Sequence, residues 1–302
     1  MEIKKYIPSS IRYAIDKLPE KFWDNLNEIN FIIGKEITIK TGNRRVYLTN
    51  NGVSNNKSDA IIVSKCDILK TFELITESSH YAYNRFVNDG FLTLKGGHRV
   101  GIVGNCVCDG NKITNVNSIN SLCFRIAHNY HSNNNLVFEE IYDGSILNSC
   151  IIISPPGCGK TTLLRDVAFQ LNNTNRIIKC VIIDERYEIA ACYEGEPSLN
   201  VGHVTSVISG CKKDIAIPMV IRSMSPDVIL VDELSSQTDI NSVKYALASG
   251  CAVIATTHGK DESDNGICFY EKQNVFKKII ILSARNGPGT IEKIINGDIY
   301  VI

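Results

Sequence analysis

Apolar residues follow two different rhythms along this chain. In the second half, short unbroken runs rich in Ile and Val recur at Ile151–Ser154, Ile177–Asp184, Val228–Asp232, Val253–Thr257 and Ile279–Ser283. Such runs predict strands buried on both faces, as in a parallel sheet. Between them the spacing predicts helices over Lys160–Leu171, Asp214–Met224 and Asp239–Ser249, with Pro218 a weak point inside the second. Strands and helices in alternation predict an α/β layer, with ligand chemistry at the carboxyl ends of the strands.

Upstream the pattern is mixed. Helices are predicted over Ile11–Leu18 and Glu20–Leu26, and short strands over Ile37–Ile39 and Arg45–Leu48 around the Gly42-Asn43 turn. Ile68, Leu69, Phe72 and Ile75 recur at three and four, which predicts a half-buried helix. A second helix is expected over Tyr81–Val87. Phe91–Leu94 and Arg99–Val103 flank Gly96-Gly97 as a hairpin, and a further strand pair surrounds Asp109-Gly110. The polar, Asn-rich stretch from His128 to Asn135 reads as a linker. The expected organisation is a smaller α+β domain over 1–128, a linker over 129–136 and a second domain over 137–302, with no internal repeat.

Composition narrows the function classes. Lys+Arg and Asp+Glu balance at 32 each over 302 residues, so no long-range field favours nucleic acid or anionic lipid. There is no strong nucleic-acid signal; the best local basic candidate is Lys40, Arg44, Arg45 and Tyr47, which a solvated hairpin explains as well. Eleven scattered cysteines without a CxxC pair indicate reduced thiols rather than a disulfide framework. Cys106 and Cys108 share a face of a predicted strand, but no nearby Cys or His completes a metal set, so they read as structural. No apolar run approaches the ~18 residues of a membrane span, and Met1–Pro8 lacks a signal-peptide core. The expectation is a cytoplasmic protein, at most peripheral to a membrane.

The chemistry centres on Cys150–Leu171. An apolar strand runs into Ser154-Pro155-Pro156-Gly157-Cys158-Gly159-Lys160-Thr161-Thr162 and then into an amphipathic helix. This is the spacing of a phosphate-binding loop, with Ser154 where the first glycine usually stands. Gly157 and Gly159 let backbone N–H groups converge on phosphate, and the helix start adds its positive dipole end. Lys160 is expected at the β- and γ-phosphates of ATP, and Thr161 on Mg²⁺. Downstream, Val228–Glu233 is an apolar strand ending in two acids. Asp232 is expected to hold Mg²⁺, directly or through water, and Glu233 to orient the attacking water. Asp184, Glu185 and Glu188 end a second strand at the same sheet edge, within expected reach of the γ-phosphate. Thr257 or His258, ending the next strand, could sense that phosphate. Arg222, and Arg99 and Arg125 of the first domain, are candidates for spreading negative charge, the last two from another domain or subunit.

Ser154 to Asp166, Ile183-Asp-Glu-Arg-Tyr-Glu-Ile-Ala-Ala191 and Ile221-Arg-Ser-Met-Ser-Pro-Asp-Val-Ile-Leu-Val-Asp-Glu233 together resemble the stage III sporulation protein AA family. Gly90 to Gly101 and Ser121 to Ala127 agree, and the resemblance runs from about residue 80 to 260. That family is similar to the ATPases of type II and type IV secretion machines. The resemblance implies a RecA-like P-loop NTPase domain behind the α+β domain, and an ATP hydrolase of the secretion or AAA+-like class. It implies action in the mother cell of a sporulating bacterium, as a hexameric ring at a mother cell–forespore channel of membrane-embedded proteins. Carried over by position, Lys160 and Thr161 bind phosphate and Mg²⁺, Glu185 falls in an acidic box, Asp232 and Glu233 form the acidic strand end, and His258 falls in a histidine box. Arg99 and Arg125 fall where the secretion ATPases place first-domain arginines near nucleotide.

The chain also departs from that pattern. Asn30 and Ile32 stand where the family has arginine, and Val204 and Ser206 where it has arginine and aspartate. These losses motivate an alternative, a nucleotide-binding scaffold with little turnover. A nucleic-acid motor is the third reading.

Overall fold

The first 128 residues are built on one antiparallel sheet of seven strands. In chain order these are β1 (Leu26–Ile32), β2 (Thr38–Thr41), β3 (Arg44–Thr49), β4 (Gly52–Ser54), β5 (Phe91–Thr93), β6 (Arg99–Asp109) and β7 (Lys112–Arg125). The computed structural model describes residues 2–77, 90–110, 112–129, 135–259 and 275–297. The chain divides into two compact units, Met1–His128 and Asn129–Ile302.

In the first unit the strand order is β4-β3-β2-β1-β7-β6-β5. Ile29, Phe31, Ile39, Val100, Leu122 and Phe124 point to one face and form a core with Ile3, Ile7, Ile11, Ile15 and Ile68. Phe31 and Phe124 meet edge to face, with ring centroids 5.6 Å apart. Helices α1 (Ser9–Ile15), α2 (Glu20–Trp23) and α3 (Lys65–Thr76) belong to this unit. A capping box between Ser64 and Asp67 starts α3.

Several expectations need correction here. The helix expected over Ile11–Leu18 starts at Ser9 and ends at Ile15, and that over Glu20–Leu26 stops at Trp23. Leu26 instead opens β1, the strand that joins the two halves of the sheet. The hairpins expected around Gly96-Gly97 and Asp109-Gly110 both form, and the two share the long strand β6. Cys106 and Cys108 are exposed on β6, beyond a register shift between Val103 and Asn105. The helix expected over Tyr81–Val87 lies outside the described residues.

The second unit holds the parallel layer. Its strands are β8 (Cys150–Ser154), β9 (Cys180–Asp184), β10 (Thr205–Ser209), β11 (Val228–Val231), β12 (Ala252–His258), β13 (Lys278–Ser283) and β14 (Thr290–Asn296). The order is β10-β9-β11-β12-β8-β13-β14, parallel except for β14, which pairs antiparallel with β13. Alternate residues of the same strands feed two cores. Cys150, Ile152, Ile182 and Leu230 pack with α4 (Asn135–Ile141) and α5 (Lys160–Leu171). Ile151, Ile153, Ile183 and Val231 pack with α6 (Lys213–Met224) and α7 (Gln237–Ala248). That double burial is why the sequence runs are apolar without alternation.

Here too the structure adds to the sequence reading. α4 begins at Asn135, inside the stretch read as linker, while residues 130–134 lie outside the described residues. β9 starts at Cys180, leaving Ile177 82% exposed. β10 and β14 were not anticipated. Pro218 is accommodated inside α6.

Candidate active site

The phosphate loop leaves β8 at Ser154 and closes into α5 at Gly159. Gly157 and Gly159 have φ of 78° and 86°, the left-handed region that favours glycine. Ser154 has no such requirement, because it continues the extended strand and pairs with His258 of β12. A serine there carries no conformational penalty.

Lys160 is buried and held by the loop it belongs to. Its ammonium donates to Ser154 O at 2.9 Å, Pro155 O at 3.2 Å and Ser154 Oγ at 3.2 Å, and lies 3.2 Å from His258 Nδ1. Burial pulls its pKa below the usual lysine range, against the opposing charges of Asp232 and Glu233.

The sheet order brings the acids to the same edge. β12 lies between β8 and β11, so His258 stands between the phosphate loop and the acidic strand end. Thr161 Oγ1 donates to Asp232 Oδ2 at 2.7 Å. Thr256 of β12 donates to the other oxygen of Asp232 and accepts the Glu233 N–H at 2.9 Å. Glu233 itself has a left-handed φ of 55°. Its Oε1 is 3.6 Å from His258 Nε2, and its Oε2 is 2.5 Å from Arg186 Nη1.

These groups surround a cleft of about 340 Å³, lined by loop residues 156, 157 and 159–162 with Glu188, Asp232, Glu233 and His258. That volume is within the range of small-ligand pockets. Of the other loop residues, Ser154 and Pro155 serve through their contacts to Lys160, and Cys158 is 4% exposed and does not line the cleft.

The second acidic segment divides its labour differently from the expectation. Asp184, 1% exposed, does not line the cleft. Its Oδ1 accepts the N–H groups of Glu188 (2.7 Å) and Ile189 (3.1 Å), and its Oδ2 those of Ala190 (2.9 Å) and Ala191 (3.2 Å). Burial raises its pKa while these four donors oppose the rise. Arg165 of α5 grips the same loop from the other side, donating to Ile189 O at 2.7 Å and Glu188 O at 3.1 Å. The Asp184 carboxylate is thus taken up by the loop, and the residue also lines the small cavity beside Asp232 and Glu233. Glu185 pairs with Lys213 at the start of α6 and lines a small neighbouring cavity shared with Asp232 and Glu233.

Arg222 is exposed on α6 and does not line the cleft. Arg99 and Arg125 lie in the first unit, directly opposite each other on β6 and β7. Register extends that line through Glu28, Lys40 and Arg45 on β1, β2 and β3. The residues that sequence reasoning missed are Thr256, Arg165, Lys213 and, as a site residue, Arg186. Each acts through a contact between segments far apart in the chain, and no spacing announces it.

The chain is similar to known proteins in sequence and in fold. The family described as Sporulation stage III, protein AA matches residues 1–300. Stage III sporulation protein AA of Bacillus subtilis (strain 168) is 32% identical over 305 residues, covering 98% of this chain and 95% of that protein. Among solved structures, the Legionella pneumophila ATPase DotB matches with a TM-score of 0.56 at 14% identity, over 89% of this chain and 74% of that one. The pilus retraction motor PilT with bound ADP matches with a TM-score of 0.59 at 14% identity, over 90% and 76%. At such identities these two likenesses establish the fold, a P-loop ATPase fold.

Proposed function

The chain belongs to the stage III sporulation protein AA family, and from that premise we propose that it is a Mg²⁺-dependent ATPase of a sporulation machine. The observation that carries this reading is the convergence of Lys160, Thr161, Asp232, Glu233 and His258 on one cleft over a glycine loop. Lys160 would give up its loop carbonyls for the β- and γ-phosphates, and the start of α5 would meet them with backbone N–H groups. Thr161 and Asp232 present a hydroxyl and a carboxylate 2.7 Å apart, hard oxygen donors of the kind Mg²⁺ takes while keeping several waters. When bound there, the ion would offset phosphate charge. Glu233 would orient and polarise the attacking water, with His258 beside it near the terminal phosphate. Glu185 would act from the neighbouring cavity, and Arg222, Arg99 and Arg125 would complete sites across copies of the chain.

By the family and the fold, we read the working form as a homo-oligomeric ring, a hexamer, in the mother-cell cytoplasm. It would dock on membrane-embedded proteins of the sporulation complex and power or assemble a channel. Among the described residues no helix is long and apolar enough to cross a membrane.

The test is ATP hydrolysis rate per chain against protein concentration, with Lys160→Ala as control. A rate per chain that rises with assembly and vanishes in the variant supports the reading. Full turnover by dilute monomer would refute sites shared between copies, and turnover retained by Lys160→Ala would refute the cleft. A scaffold with little turnover is favoured by one observation, the pairing of Glu233 with Arg186. Glu233→Gln separates the two, since an unchanged phosphate-release rate would leave Glu233 outside catalysis.

A further inference from the structure

Arg186 sits two residues beyond the strand end at Asp184, on a loop whose backbone is fixed. Asp184 holds the N–H groups of residues 188–191, and Arg165 holds the carbonyls of Glu188 and Ile189. From this base the Arg186 side chain, 63% exposed, reaches Glu233 Oε2 at 2.5 Å. Glu233 lines the cleft, and its other oxygen faces His258, which contacts Lys160. Arg186 is therefore separated from the cleft by a single carboxylate.

We propose that Arg186 exchanges partners, holding Glu233 in the ligand-free protein and the terminal phosphate of a nucleoside triphosphate in the loaded one. It thereby distinguishes triphosphate from diphosphate. The inference rests on the reading of the cleft as an ATP site.

The physical argument is one of relative strength. An ion pair as exposed as Arg186–Glu233 is weak, because water screens it and long side chains lose freedom in holding it. A guanidinium meeting phosphate oxygens makes charge-assisted, often bidentate, bonds in a geometry suited to that planar fork. Lys160 is the only Lys or Arg lining the cleft among the described residues. A triphosphate brings more negative charge than one ammonium balances. Two cations, Arg186 and Lys213, line the adjoining cavity, and Lys213 is paired with Glu185 while Arg186 already reaches Glu233. Moving it also releases the Glu233 carboxylate for water when a γ-phosphate is in place. ADP lacks that phosphate and leaves Arg186 on Glu233.

The test measures affinities of the full chain for ADP and for ATPγS, a slowly hydrolysed triphosphate. Wild type is expected to prefer ATPγS. Arg186→Ala should weaken ATPγS about tenfold, the loss of one charge-assisted hydrogen bond, and leave ADP within about twofold. Arg186→Lys should fall between them. Glu233→Gln removes the resting partner and should tighten ATPγS without changing ADP. If the ratio of the two affinities is the same in wild type, Arg186→Ala and Glu233→Gln, the exchange is wrong while the ATP site stands. Wild type that binds neither nucleotide would overturn the ATP site and the exchange with it.

Discussion

Replacing Asp184 by Asn separates scaffold from chemistry at the sheet edge. The buried carboxylate receives four backbone N–H groups, two on each oxygen, at 2.7–3.2 Å. Asparagine keeps one acceptor oxygen and turns the other position into an NH₂ group. Two N–H donors would then face a donor, and each orphaned one costs about 1–3 kcal/mol. Removing a charge that burial disfavours returns part of that. The net expected loss is about 2–3 kcal/mol. With a urea slope of about 2 kcal/mol per molar, the unfolding midpoint should fall by about 1–1.5 M. Hydrogen exchange should localise the effect, with amides 188–191 losing protection first while helix α5 keeps its own. Tyr187 and Ala191, at φ of 57° and 49°, make the loop depend on this grip. An unchanged midpoint and unchanged exchange at 188–191, together with collapsed ATP turnover, would refute the reasoning. Asp184 would then act on phosphate after all.

Three further outcomes follow from the same contacts. His98 is 4% exposed, accepts the Ala127 N–H at 3.1 Å, and burial holds its pKa down at about 4 against 6.5. The unfolded chain takes up that proton first, so the contribution is complete above about pH 6.5 and is lost as pH falls towards 4, by ~3 kcal/mol. His98→Gln should flatten that slope in pH-dependent unfolding, and an identical slope would discount the histidine. Thr256→Val should orphan the Glu233 N–H and free Asp232, lowering kcat and costing about 1–2 kcal/mol while ADP affinity holds; unchanged kcat would show that the hydroxyl positions nothing. Ser154→Gly should cost about 1 kcal/mol of stability and leave ADP affinity within about threefold. A tenfold gain in affinity would mean that the serine restrains the loop.

The legible parts of the fold were those decided locally. Unbroken runs such as Ile151–Ile153 and Val228–Val231 announce strands covered on both faces, and the glycines at 157 and 159 announce a turn that only they adopt cheaply. β1 was illegible because Phe22, Trp23 and Leu26 mimic helical spacing. Its strand state comes from pairing with β7, about a hundred residues away in sequence. β10 is an edge strand of intermediate burial, with little pattern to betray it. At the site, Lys160, Thr161, Asp232, Glu233 and His258 could be named because each ends a strand or starts a helix next to its motif. The grip of Asp184 on its loop was not legible because an acid at a strand end can turn outward to phosphate or inward to a loop. The inward contacts occur on a loop that carries left-handed residues at 187 and 191, which sequence spacing does not reveal.

The departures from the family pattern can be weighed by where they fall. Alternation along β1 puts Glu28, Asn30 and Ile32 on one face, that of the line formed by Arg99, Arg125, Lys40 and Arg45. Two expected cations are missing there, yet four remain in register, and Ile32 is left 45% exposed. Val204 is 37% exposed at the approach to β10, and Ser206 lies on that edge strand. None of these positions lines the cleft over the glycine loop. Ser154, the one departure inside the loop, still holds Lys160 through its carbonyl. The losses thus fall away from the cleft, while the groups proposed for nucleotide are intact. Motor and scaffold then differ in assembly rather than in binding. The concentration dependence of turnover, more than nucleotide affinity, is the quantity that tells them apart.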